Sequence, residues 1–458
     1  MISRLFPSRR MGLVLACAAM SATLPAQANP FEVTLSNGMK VVVREDRRAP
    51  SVVHMVWYRS GAIDEPVGVT GVAHVLEHMM FKGTHKVGPG EFNARVSAVG
   101  GRDNAFTGQD YTAYFQQVPP SQLGGMMALE ADRMKNLAIT DKAFSSEIEV
   151  IKEERRLRTD DRPRALVYEQ LMATAFQAHP YHHPIIGWMT DLDTMTADDA
   201  RTWYKNWYAP NNACLVVVGD VDHEAVFKLA QQHYGPLKAA KLPERRISNE
   251  PPQAGLRTVT VRAPAELPYL AMAWHVPTLR NPGNDREAFA LQMLASILSG
   301  YDGARLNQRL VREQRIAVSA DAAYDGINRG PSLFYLEGVP APGQNMAALE
   351  AALRAELQRI RDEGVSEAEL NRVKNQALAG RVYSRDSLMG QAMEIGQLES
   401  VGLSWRDDIR LLAGLRSVTA EEVREVARRY FDDAKLTISR LEPLPAAAPA
   451  APVAPTKP

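Results

Sequence analysis

The segment Gly71-Val72-Ala73-His74-Val75-Leu76-Glu77-His78 leaves the chain few ways to fold around it. Its apolar residues must be buried, and two histidines and a carboxylate go with them. Buried polar groups of this kind need partners. Helical spacing over Thr70 to Phe81 supplies one answer, because residues four apart lie on one helix face. Both imidazoles can then reach a single ion. Glu77, three residues after His74, projects to the same side and can hold a water without itself being a ligand. Zinc lowers the pKa of a water it binds, and a nearby carboxylate accepts the proton, which is what amide hydrolysis requires. The order His-x-x-Glu-His is the inverse of the commoner zincin motif. The competing reading, a polar helix face that happens to hold these side chains, does not explain the apolar residues between them.

A catalytic zinc takes three protein ligands and keeps one position open. The third is expected from the predicted helix Lys142 to Arg158, which carries Glu147, Glu149, Glu153 and Glu154. Glu147 and Glu154 are two helical turns apart and share a face, so spacing alone does not choose between them. Charge pairs such as Glu154-Arg158 would make the same run a solvated face.

Before this core comes an export signal. Arg4, Arg9 and Arg10 precede the apolar run Leu13 to Leu24, and Ala26-Gln27-Ala28 supplies the small residues for cleavage near Ala28. The run is too short to stay behind as an anchor, so the mature form is expected to have no membrane span. Arg9-Arg10 matches a twin-arginine signal poorly, and Cys17 has too few apolar residues before it for lipidation. The expected location is the periplasm. Loss of Cys17 leaves Cys214 alone in the apolar run Ala213 to Val218, so no internal disulfide forms and the thiol is expected to be buried and inert. The 458 residues carry 53 basic and 53 acidic side chains, and removing the leader leaves a slight acidic excess. No basic stripe points to a nucleic-acid partner.

Strand-like stretches fall at Val41 to Val43, Ser51 to Tyr58 and Ala213 to Val218, with helical spacing at Ser121 to Leu137 and His223 to His233. Leu242 to Leu256, with three prolines and Gly255, reads as a linker. The order then partly repeats: a strand at Leu267 to Trp274, a turn-rich stretch, and a helix at Glu287 to Leu298. Laying Gly83 on Gly300 sets His74, Glu77 and His78 opposite Leu291, Leu294 and Ala295. Only the first half of the repeat therefore carries polar chemistry at these positions. The Pro/Ala-rich tail from Pro443 is expected to be disordered.

Gly71 to His78, Gly100-Gly101, Asn104-Ala105-Phe106-Thr107, Glu147 to Glu154, His179-Pro180-Tyr181 and Tyr208 to Asn212 occur in an order that resembles the pitrilysin/insulinase metallopeptidases. The likeness is to the short bacterial members and the catalytic subunit of mitochondrial processing peptidase. It implies an α+β fold of two homologous α/β-roll halves, each a mainly antiparallel sheet with helices packed on it. It implies one zinc per chain held by His74, His78 and Glu154, with Glu77 as general base and Glu147 orienting the site from behind. Glu154 follows His78 by 76 positions, as in the family's short members. Asn104 and Ala105 match the edge strand on which such enzymes lay an extended peptide. The expected layout is a signal peptide 1–28, a zinc-binding domain 29–241, a linker 242–256, a homologous domain without metal 257–442 and a tail 443–458. The expected activity is endoproteolysis of unfolded oligopeptides within a chamber.

The second half departs from that pattern. Family members that act alone carry an arginine and, seven residues on, a tyrosine. Arg312 fits the first, but the segment is one residue short, so that Val318 stands where the tyrosine belongs, and valine cannot donate to a developing oxyanion. Tyr324 lies farther along. The expected partner is therefore a homologous subunit carrying the Arg-Tyr pair, with a homodimer as the alternative. A peptide-binding or maturation factor is the alternative function. His182-His183, flanked by prolines, reads as a surface loop rather than a second metal site.

Overall fold

The computed structural model describes residues 29–445. The expected signal peptide lies outside the described residues, as does the tail beyond residue 445. Six strands form the first sheet: β1 (Phe31–Thr34), β2 (Lys40–Glu45), β3 (Val52–Tyr58), β4 (Arg102–Thr107), β5 (Thr112–Val118) and β6 (Ala213–Gly219). Their spatial order is β1-β2-β6-β3-β5-β4. Five strands form the second: β7 (Arg257–Pro264), β8 (Tyr269–Val276), β9 (Ala317–Tyr324), β10 (Ser332–Pro340) and β11 (Leu436–Leu444), in the order β7-β11-β8-β10-β9.

Without β1 the two sheets are the same object. Each has one parallel pair, β2 with β6 and β7 with β11, and is otherwise antiparallel. The offset that lays Gly83 on Gly300 also lays β3 on β8 and the helix Val72–Met79 on the helix Arg286–Ser299. Leu291, Leu294 and Ala295, opposite the His/Glu set, are buried in the second core. The two halves thus share a backbone plan, and one helix face has been filled with hydrocarbon. Strands β3 and β6 are buried along their whole length, as their valine- and aromatic-rich sequences allow only when both sheet faces are covered.

The covering elements cross between halves. The helix Pro163–Ala175, from the first half of the sequence, packs on β7, β8 and β11. Its Val167 and Leu171 are buried there with Val261 and Ala271. In return the helix Leu388–Val401 packs on β3 and β6, where Leu388, Ala392 and Ile395 meet Met55, Trp57 and Val216. Residues 163–175 thus serve the second sheet and 388–401 the first. Strand β11 runs into the start of the Pro/Ala-rich stretch, where Pro443 and Leu444 pair with Ala263 and Pro264.

One contact in this exchange is unforgiving. A Cβ at Gly396 would lie 2.0 Å from the fully buried Trp57 ring. Gly396→Ala is expected to destabilise the chain by about 1–3 kcal/mol through overpacking. At Gly380, also helical, a Cβ meets nothing within 4 Å. Gly380→Ala is expected to be neutral or to stabilise by up to about 1 kcal/mol. Thermal unfolding of the two variants checks the contrast, and equal midpoints would contradict it.

Candidate metal centre

The helix Val72–Met79 starts at Gly71, which adopts φ 89° and has no side chain with which to cap. A Cβ there would sit 2.5 Å from the Ile186 carbonyl, so the loop 183–187 closes against the helix only because the residue is glycine. The free amides at a helix start still need acceptors. Buried Glu65 provides them, accepting from Gly71 N and Ala73 N at 2.8 Å each. Val72, Ala73, Val75, Leu76 and Met79 face the core. That orientation turns His74, Glu77 and His78 to one cleft.

The helix Asp141–Arg155 brings up the carboxylates. Glu147 Oε1 lies 2.9 Å from His78 Nδ1, and Glu154 Oε2 lies 3.3 Å from His78 Nε2 and 3.8 Å from His74 Nε2. Both acids allowed by the spacing are used, on opposite nitrogens of one imidazole. Lys82 pairs with the other oxygen of Glu147, and Arg158 holds Glu154 Oε1 at 2.6 Å. Glu149 and Glu153 pair instead with Lys152 and Arg156. A five-residue π-helical stretch, Arg156–Asp160, follows at once, a distortion common beside functional sites.

The arrangement fits a metal. Ligand atoms of His74, His78 and Glu154 all lie within 4.8 Å of one another. Glu154 Oε2 is buried with no hydrogen-bond partner, a state that costs free energy unless something positive meets it. Two imidazole nitrogens and a carboxylate, with one imidazole backed by a second carboxylate, is the donor set of a catalytic zinc.

Burial and the neighbouring His78 hold His74 down to about 4. Burial alone would lower His78 as well, but Glu147 and Glu154 outweigh it and push it up to about 9. The neighbouring His78 keeps Glu154 low. At neutral pH the metal-free site therefore holds one proton, on His78, which a metal must displace. Zinc uptake is expected to release about one proton at pH 7, with affinity rising about tenfold per pH unit toward pH 9 and falling as pH drops. Titration calorimetry in buffers of different ionisation enthalpy checks this, and uptake without proton release would contradict it.

Glu77 sits beside the triad. Its Oε2 accepts from the Thr107 hydroxyl at 2.6 Å, and burial raises its pKa. Thr107 belongs to β4, the open edge of the first sheet. Asn104 is exposed on that strand and accepts from the Ala105 amide, and residues 104–107 line one wall of the cleft. The cleft encloses about 1080 Å³, and every residue lining it precedes Gly187.

Comparison with known proteins places this geometry. Residues 40–188 match the insulinase (peptidase family M16) model and residues 194–377 match the peptidase M16 inactive domain. The chain belongs to the M16 family. It is 31% identical to the zinc protease PqqE of Helicobacter pylori over 421 residues, 90% of this chain and 92% of the relative. A mitochondrial-processing peptidase beta subunit from Lentinula edodes is 25% identical over 87% of each chain. The crystal structure of a protease from Helicobacter pylori superposes with a TM-score of 0.85 at 29% identity, covering 90% of this chain and 100% of that one. The periplasmic protease PqqL of Escherichia coli shares the fold, with a TM-score of 0.78 at 21% identity, and this chain covers 50% of it.

In this M16 chain the second-half candidates stay away from the cleft. Arg312 lies on the π-helical turn Asn307–Glu313. Val318 is half-exposed at the outer strand β9, where the pairing slips between Val339 and Pro340. The Tyr324 hydroxyl donates to the Pro277 carbonyl at 2.6 Å, so it is already committed. His182 bonds the His179 carbonyl, while buried His183 lies 3.6 Å from Glu65. Among the described residues the other group with metal-like spacing is Glu45, Asp222 and His223, whose atoms are satisfied by one another and by a helix cap. Sequence reasoning gave Glu65 and Thr107 no role. The missing cap at Gly71 was the available signal for the first, and the strand period through Asn104 to Thr107 for the second.

Proposed function

We propose that this chain is a zinc-dependent endopeptidase of unfolded oligopeptides, with one zinc held by His74, His78 and Glu154. The observation that carries the reading is the convergence of that triad and Glu77 beside an open strand edge. Zinc, when bound, supplies Lewis acidity toward water and the scissile carbonyl. Glu77 takes the proton from the attacking water and passes it to the leaving nitrogen, and Thr107 fixes the carboxylate that does so. Glu147 holds His78 with Nε2 directed at the site. β4 offers backbone donors and acceptors to an extended peptide, which favours unfolded chains over folded ones.

The chain acts as the catalytic subunit of a heterodimer, with export to the periplasm. The cleft wall contributed wholly by the first half, and Tyr324 turned elsewhere, favour a partner that brings the missing hydroxyl. A homodimer is the alternative assembly. A peptide-binding or maturation factor is the alternative function. Mass spectrometry of products tests the reading. Internal cuts in a reduced, unfolded polypeptide, with the same protein spared when folded, are expected from the chain alone or with a homologous partner. Binding without cuts under both conditions would favour the alternative function.

A further inference from the structure

A second groove, of about 870 Å³, opens between the turn 158–165 and the connection from β7 to β8. Arg158 and Ala165 line both this groove and the metal cleft, so the two are continuous. Three guanidinium groups face it, from Arg158, Arg162 and Arg164, against one acid, Glu266. Arg158 is already paired with Glu154. The other two have no acidic partner among the described residues. Arg162 donates through Nε to the Leu157 carbonyl, and the Arg164 guanidinium lies over the Tyr269 ring, 5.0 Å from its centroid. Both contacts orient a guanidinium while leaving donors free, which is the state suited to bidentate capture of a carboxylate. Leu267 and Leu441 form an apolar floor beside them.

We propose that this groove binds carboxylate groups of the peptide substrate, so that the enzyme favours peptides with an acidic flank over neutral ones. This rests on the peptidase reading and adds to it the class of sequence preferred. The arrangement is directional. A peptide laid on β4 past the metal continues over Arg158 into the arginines, and a carboxylate a few residues from the scissile bond meets them. Glu266 sets a limit by repelling a dense run of acids.

The test uses fluorescein-labelled 12-residue peptides and the zinc-loaded Glu77→Gln chain, read by anisotropy. One set carries two glutamates on either flank, a second carries glutamine instead, and a third ends in a free or an amidated carboxyl group. The acidic peptides are expected to bind about three- to tenfold tighter at low salt, the advantage shrinking toward unity in 0.5 M salt. Arg162→Ala/Arg164→Ala, changing exposed residues only, is expected to remove the advantage while leaving the neutral peptides unchanged. A preference that follows only the free terminus would assign the groove to a C-terminal carboxylate, and one that follows the glutamates to side chains. Equal binding of both sets, no binding of either, or a preference that survives the double substitution would overturn the inference. Cleavage of the same peptides by the wild-type chain reports separately on the peptidase reading.

Discussion

Glu77→Gln is expected to lower peptide turnover by about 10²–10⁴-fold while leaving zinc content unchanged. The substitution keeps side-chain volume, and the amide oxygen can still accept from Thr107 at the 2.6 Å seen for Oε2. The ligand set, His74, His78 and Glu154, is untouched. What disappears is a group able to take a proton. Burial raises the Glu77 pKa, which brings its basicity nearer the working range that general-base catalysis favours. Metal analysis and turnover on the same preparation separate this from loss of the site. A zinc-replete variant with wild-type turnover would remove Glu77 from the mechanism, and a protein that only binds peptides would be indifferent to the change.

His78→Ala is expected to abolish stable zinc binding and, with it, activity. His78 is the hub of the site, touching Glu147 through Nδ1 and Glu154 through Nε2. Without it two ligands remain, and the carboxylates lose the cation between them. Lys82 still neutralises Glu147 and Arg158 still holds Glu154, so the fold is expected to survive. In the wild-type chain, zinc at a thousandfold excess over Kd stabilises the native state by about 4 kcal/mol. The variant is expected to show no zinc-dependent rise in its thermal midpoint. An unchanged rise would place the metal elsewhere.

The helix that carries the metal motif was legible because its information is local: the apolar positions and the His/Glu set obey one period. The choice between Glu147 and Glu154 was not, since seven residues bring both to one face, and the structure uses both on His78. Resemblance to a family separated their roles where spacing could not. The repeat was legible as an offset between two strand-turn-helix units, and the matching sheet orders extend it. The exchange of helices was hidden. An apolar stripe on Pro163–Ala175 says that something covers it, not which sheet does so. Glu65 was hidden for a related reason: the missing cap at Gly71 says that an acceptor must come from elsewhere, not which residue supplies it.

The most direct test of the central claim is turnover of an internally quenched peptide by the purified mature chain, stripped of metal and then reloaded with one equivalent of zinc. Activity absent from the stripped chain, restored by zinc and absent again in zinc-loaded Glu77→Gln is the predicted result, with a homologous Arg-Tyr subunit added if the chain alone is silent. Turnover that is indifferent to zinc, or that survives Glu77→Gln, would contradict the account.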